Sequence, residues 1–116
     1  MDQHAFRIGR AALEPLMRKV GGRKVLLDRD AAEYFEVKLT TLNRCVKRYR
    51  NRFPPDFMIE FSDDELVDRE LLNAARGFTE AGVDMLAMML KSRRAIAHSI
   101  ENIREGVTAL KRSRCR

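Results

Sequence analysis

Residues 39–53 read LTTLNRCVKRYRNRF. Leu39, Leu42, Val46, Tyr49 and Phe53 recur at the three-four spacing of one helix face. At 100° per residue they share an arc of about 80°. Thr40, Arg44, Lys47, Arg48 and Asn51 fill the opposite arc. No acidic residue lies between Val37 and Pro55, whereas Lys38, Arg44, Lys47, Arg48, Arg50 and Arg52 are all basic. A helix with one buried stripe and one side of Arg, Lys, Asn and Thr has the chemistry to lie on DNA. Arg and Lys meet phosphates or guanine edges, and Asn pairs with an adenine edge. The bland alternative is a solvated face on an ordinary core helix.

Upstream, LMRKVGGRKVLL (residues 16–27) places Gly21-Gly22 between two short runs with β-formers, which predicts a two-residue hairpin. Pro15, lacking a ladder donor, is expected at the start or edge of its first strand. Arg18, Lys19, Arg23 and Lys24 surround the tip. A basic hairpin can lie as a wing on a DNA backbone; equally, its charges can simply keep an edge strand soluble. Asp28 is placed to N-cap a short helix from Arg29 to Phe35, with Ala31, Ala32 and Phe35 inward. Glu36-Val37-Lys38 then joins it to the basic helix, and a tight turn between two short helices predicts a helix-turn-helix pair.

Downstream, Pro54-Pro55 are expected to end the basic helix. Phe57, Ile59 and Phe61 alternate with Met58 and Glu60, as in a half-buried strand. Ser62-Asp63-Asp64-Glu65 reads as a capping box opening a helix to about Ala74. Gly77-Phe78-Thr79-Glu80 breaks and restarts the chain, with Thr79 the N-cap of a helix from Glu80 to Lys91. Gly82 in its first turn implies close backbone packing. Val83, Leu86, Met89 and Leu90 form its apolar stripe, broadened by Met85 and Met88. Ser92 caps a last helix bearing Ile96, Ile100, Ile103, Val107 and Leu110 in a heptad-like seam. That seam suits either a homodimer through the 93–110 helix or packing on the chain's own core.

The 116 residues fit one domain with a single core. The net charge of +6 is segregated. Residues 1–55 hold 13 basic against 6 acidic residues, residues 56–90 hold 2 against 9, and residues 91–116 hold 8 against 2. Such a field favours a polyanion as partner of its positive lobe. The N-terminus lacks the apolar core of a secretory signal, no run reaches a membrane span, and two cysteines make no disulfide framework. A cytosolic setting without membrane attachment is the expectation.

The runs VLLDRDAAEYF, LNRCVKRYRNRFPPDFMIEFSDDE and GFTEAGVDMLAMMLKSRRAI resemble the phage KilA-N-like DNA-binding domain in its ORF-six N-terminal branch. The resemblance spans about residues 16–105. Its most specific pieces are Arg52-Phe53-Pro54 followed by Asp56-Phe57-Met58, and Phe78-Thr79-Glu80 followed by Gly82. It implies an α+β fold, with short β-hairpins packed beside a helix-turn-helix-like pair and two C-terminal helices. It also implies DNA binding in a phage, prophage or mobile-element setting, antirepressor-like regulators included. Through it, Asn43, Lys47 and Arg48 inherit a surface role. Two departures stand out. Glu36 occupies a turn position where the family usually has Gly, a position suited to positive φ. Family members also often continue into a separate C-terminal domain, and here the effector it carries would be absent or supplied by a partner.

Together these readings place an N-terminal arm at residues 1–12, the DNA-binding domain at 13–110 and a basic, frayed tail at 111–116. Residues 39–52 are the expected recognition helix of a transcriptional regulator binding double-stranded DNA. The expected contacts are Thr40, Arg44, Lys47, Arg48 and Asn51, with Arg50, Arg52, Arg23 and Lys24 on flanking phosphates. The competing reading is an antirepressor-like module binding another regulator protein through the acidic 56–70 segment or the Met-rich helix. No enzyme, cofactor or metal is expected. His4 and His98 have no zinc-spaced cysteine, and neither a Gly-rich phosphate loop, a nucleophile elbow nor a carboxylate pair is present. The acids at 56, 60 and 63–65 read as strand-edge and cap residues, and Cys45 as a small core residue.

Overall fold

Gly21 and Gly22 turn the chain with φ of 57° and 80°, the doubly left-handed pair of a tight hairpin. They join β1 (Arg18–Val20) to β2 (Arg23–Leu27) in an antiparallel ladder pairing Val20 with Arg23 and Arg18 with Val25. The computed structural model describes residues 8–61 and 74–114, with side chains as far as Lys111. Ahead of the hairpin lie α1 (Arg10–Leu13) and one 3-10 turn, Glu14–Leu16. Pro15 sits in that turn rather than in the strand, because its fixed φ suits the first turn of a helix. Leu13 is fully buried, and Ile8 and Ala12 ahead of it pack against the same core.

Then come α2 (Asp28–Phe35), α3 (Leu39–Arg48), a 3-10 turn at Arg50–Arg52, β3 (Met58–Glu60), β4 (Arg76–Phe78), α4 (Glu80–Met89) and α5 (Arg93–Arg114). The four strands form one antiparallel sheet in the order β1-β2-β4-β3. The expected α+β architecture, with hairpin, helix-turn-helix-like pair and two C-terminal helices, is the one observed. One core joins Leu26, Ala31, Ala32, Phe35, Leu42, Val46, Phe53, Met58, Phe78, Val83 and Leu86. Among the described residues, no helix is long and apolar enough to cross a membrane.

Several local expectations change. β4 was expected only as a break. Its three residues include Gly77, and both its partners lie far off in sequence, with Leu26 and Met58 each opposite Phe78. A Cβ on Gly77 would press on Val25 and Phe61, whose side chains cross the strand there. On β3 the phase is reversed at its start. Met58 is buried in the main core and Ile59 half-buried, because Met58 pairs with Phe78 on the helix-covered face. Phe61 packs on the other side with Leu27, Ala74 and Val20.

Asp28 does not cap α2 as expected. It is buried, its Oδ1 accepts from the Arg29 N–H, and its Oδ2 accepts from the Ala75 N–H at 3.2 Å, tying the start of α2 to the chain entering β4. Ala74 lies outside any helix; the capping box and the helix expected ahead of it lie outside the described residues. Met88, expected in the apolar stripe of α4, is exposed, while Val83, Leu86, Ala87 and Leu90 are buried. α5 stays helical through Arg114, further than a tail frayed from residue 111 implies.

Candidate nucleic-acid interface

α2 ends at Glu36, whose φ of 54° and ψ of 47° lie in the left-handed region. Its N–H donates to the Glu33 carbonyl at 3.1 Å, and the Val37 N–H donates to Ala32 at 2.9 Å. That pair of bonds is a Schellman ending. It turns the chain sharply, so that α3 starts three residues later. Glu36 therefore takes the conformation that glycine favours, as the family's usual Gly suggested.

α3 is seated by Leu42 and Val46, both buried, and by Phe53, whose ring meets Phe78 edge-on at 5.9 Å. Leu39, on the same arc, stays exposed and Tyr49 is half-buried. The helix stops at Arg48, short of the prolines expected to end it. From Tyr49 on, the Arg52 and Phe53 N–H groups donate three residues back, to Tyr49 and Arg50. This tightening, common at helix ends, swings Arg50 against Glu60 of β3. Asn51 and Arg52 consequently leave the regular face of α3.

Thr40, Arg44, Lys47 and Arg48 all stand exposed on the outer face of α3, and Asn51, Arg50 and Arg52 are exposed on the turn after it. Their surroundings differ. Among the described residues, Arg44 and Lys47 meet no carboxylate. Arg48 and Arg52 lie 5.6 and 5.9 Å from the centre of the Tyr49 ring, which holds a guanidinium in place and leaves N–H edges free. Arg50 is engaged by Glu60, and Lys24 by Glu14. Arg23 donates to the Pro55 carbonyl at 2.8 Å, pinning the hairpin to the loop that follows α3. Hairpin and helix are thus joined, and of the expected contact residues Arg23, Lys24 and Arg50 each have an internal partner whereas Arg44 and Lys47 meet no carboxylate among the described residues.

Asn43 belongs to the scaffold rather than the outer face. Its Oδ1 accepts from Nη1 of Arg76 at 2.7 Å, and Nη2 of the same guanidinium lies 3.4 Å from Glu60. Arg76 is almost fully buried, so one cation links β4, α3 and β3 and sets the tilt of the helix against the sheet. Sequence reading missed it, since its partners lie 33 and 16 residues away. Cys45 is half-buried beside this face, and burial raises the pKa of its thiol. Its role is packing.

The two sequence pieces that carry the resemblance meet in space. Thr79 donates its N–H to the Phe57 carbonyl at 2.9 Å and its hydroxyl to the Asp56 carbonyl at 2.7 Å. The same hydroxyl oxygen accepts from the Gly82 N–H as the N-cap of α4. A Cβ on Gly82 would overlap the Phe57 carbonyl. The exit of α3 and the start of α4 are therefore one interlocked unit, which explains the two motifs occurring together.

His98 is buried against Tyr34 and Phe35 of α2. Tyr34 accepts from the Gly9 N–H at 2.9 Å, and its hydroxyl donates to His98 Nδ1 at 2.7 Å. His98 Nε2 then donates to Asp84 at 2.9 Å, and Asn102 donates to the same carboxylate oxygen. The direction given is the one that satisfies every group. Burial raises the Tyr34 pKa above its ordinary value. The chain of bonds ties α2, α4 and α5 together. Among the described residues, no group of His, Cys, Asp and Glu side chains has the arrangement of a metal site.

No curated protein and no solved structure matches the chain. A sequence-family model does, over residues 16–89, from the hairpin to the end of α4 and through both interlocked motifs. The chain belongs to the phage-associated ORF6N domain family.

Proposed function

We propose that the chain is a duplex-DNA-binding domain of a regulatory protein, with α3 in the major groove and the basic hairpin along a flanking backbone. The observation that carries this reading is the outer face of α3. Arg44, Lys47 and Arg48 stand exposed there beside Thr40, opposite a buried stripe, with no acid on the helix. A helix exposed along one face in this way suits a groove about 12 Å wide, and its side chains suit phosphates and purine edges. The roles follow from the surroundings. Lys47 and Arg48 meet phosphates, Arg44 is the candidate for a base edge, and Arg23 and Lys24 add weaker contacts because each has an internal partner.

Binding of the full chain to mixed duplex fragments, titrated against salt, tests this. If about six phosphates are neutralised, the log–log slope lies near −5. A slope near zero, or no shift with any duplex at low salt, overturns the reading. Lys47→Ala and Arg48→Ala should weaken binding to all sequences alike, Arg44→Ala should change preference among them, and Lys24→Ala should cost least. The exposure of Met88 favours the second reading, an antirepressor-like module that docks on another regulator. Nuclease-resistant co-purification with such a regulator, with no duplex binding, would decide for it.

A further inference from the structure

α5 is two-faced in an unusual sense. Its inner face is largely polar and bonded to the fold. Arg94 donates to the Tyr34 carbonyl, His98 bridges Tyr34 and Asp84, Asn102 donates to Asp84, and Ala95 is buried among them. Its outer face carries Ile96, Ile100, Ile103, Val107 and Leu110, each between 45% and 67% exposed. At 100° per residue the two faces are centred about 145° apart. The seam therefore points away from the core that the rest of α5 serves. From Ile103 to Lys111 every residue is exposed, although the helix continues to Arg114. Isolated exposed aliphatics are ordinary, but a contiguous row is not.

We propose that this outer face is an interface for a second copy of the chain. The spacing alternates four, three, four and three, which is a two-position heptad core. Ile96, Ile103 and Leu110 take one position, and Ile100 and Val107 the other. Such a seam is complementary to itself, as an isologous interface requires. It bears no charge, so it selects an apolar stripe rather than an acidic or basic partner. Ser99 and Gly106 line one flank, with open space around Gly106, and small residues there let a second helix approach closely. Covering the seam on two copies removes on the order of 1,000 Å² from water, the lower bound of a stable interface. The proposal stands apart from DNA binding, since nothing in it uses α3.

The test is the solution mass of the nuclease-treated full chain, by sedimentation or light scattering, over roughly 1–100 µM, the range expected of a modest interface. Wild type should approach twice the 13.4 kDa chain mass as concentration rises. Ile103→Glu and Ile100→Lys should each return it to one chain mass with unchanged helicity of the folded core. A monomeric wild type throughout that range overturns the proposal. So does a dimer that survives both substitutions, which would place the contact elsewhere. A monomeric wild type that Ile103→Glu unfolds overturns it too, and assigns the seam to a segment of the same chain.

Discussion

Nη1 of Arg76 donates to Oδ1 of Asn43 at 2.7 Å, joining a buried position on β4 to the inner edge of α3. The candidate DNA-facing helix is thereby held by an internal cation as well as by Leu42 and Val46. Removing one partner of a buried charged hydrogen bond leaves the other unsatisfied. Arg76→Ala should lower unfolding stability by about 2–4 kcal/mol, and Asn43→Ala by about 1–2 kcal/mol. In urea titrations the double variant should fall short of the sum, because the two changes break one interaction.

Gly82 presents a purely steric case. Alanine is the better helix former by about 1 kcal/mol, so an exposed glycine at this place in α4 would gain from the exchange. Here the added methyl meets the Phe57 carbonyl, which is backbone and cannot rotate aside. Gly82→Ala should therefore destabilise by about 1–3 kcal/mol, the usual cost of overpacking. An unchanged thermal midpoint would contradict the close approach.

Glu36 should respond in the opposite direction. A non-glycine residue in the left-handed region carries a penalty of roughly 1 kcal/mol. Among the described residues its offset is a long 4.0 Å pairing of its exposed carboxylate with Arg94, and pairs of that kind contribute little. Glu36→Gly should raise stability by about 0.5–1 kcal/mol, seen as a higher denaturant midpoint. A loss of stability would mean that the Arg94 pairing outweighs the backbone strain.

Cys45 gives a pH signature. Burial raises its thiol pKa, so the folded chain holds less thiolate than the unfolded chain at the same alkaline pH. In a Cys115→Ser background, alkylation of Cys45 near neutral pH should be slower than that of a free cysteine thiol. The linkage has a definite sign. Its stabilising contribution is complete below the ordinary thiol pKa and is lost as pH rises through the folded value. Cys45→Ala should thus unfold with a flatter alkaline pH dependence than the parent.

Much of this architecture is dictated locally. Two adjacent glycines select the left-handed turn of the hairpin. The apolar spacing from Leu42 to Val46 turns one side of α3 inward and leaves Arg44, Lys47 and Arg48 outward. Thr79 and Ser92 cap the helices they precede, each accepting an N–H three residues on. Such features depend on neighbours within a turn or two, where residue type and spacing decide the conformation. What depended on tertiary structure were the non-local pairings. β4 forms because β2 and β3 flank it, Asp28 abandons its cap to reach Ala75, and Asn43 gives up its expected surface role to accept from Arg76. The outward direction of the α5 seam is of the same kind. Its heptad is plain in the sequence, but its exposure follows from Tyr34 and Asp84 claiming the opposite face through His98. Partners separated by tens of residues leave no periodic trace, so only the folded chain decides which side of a helix is already spoken for.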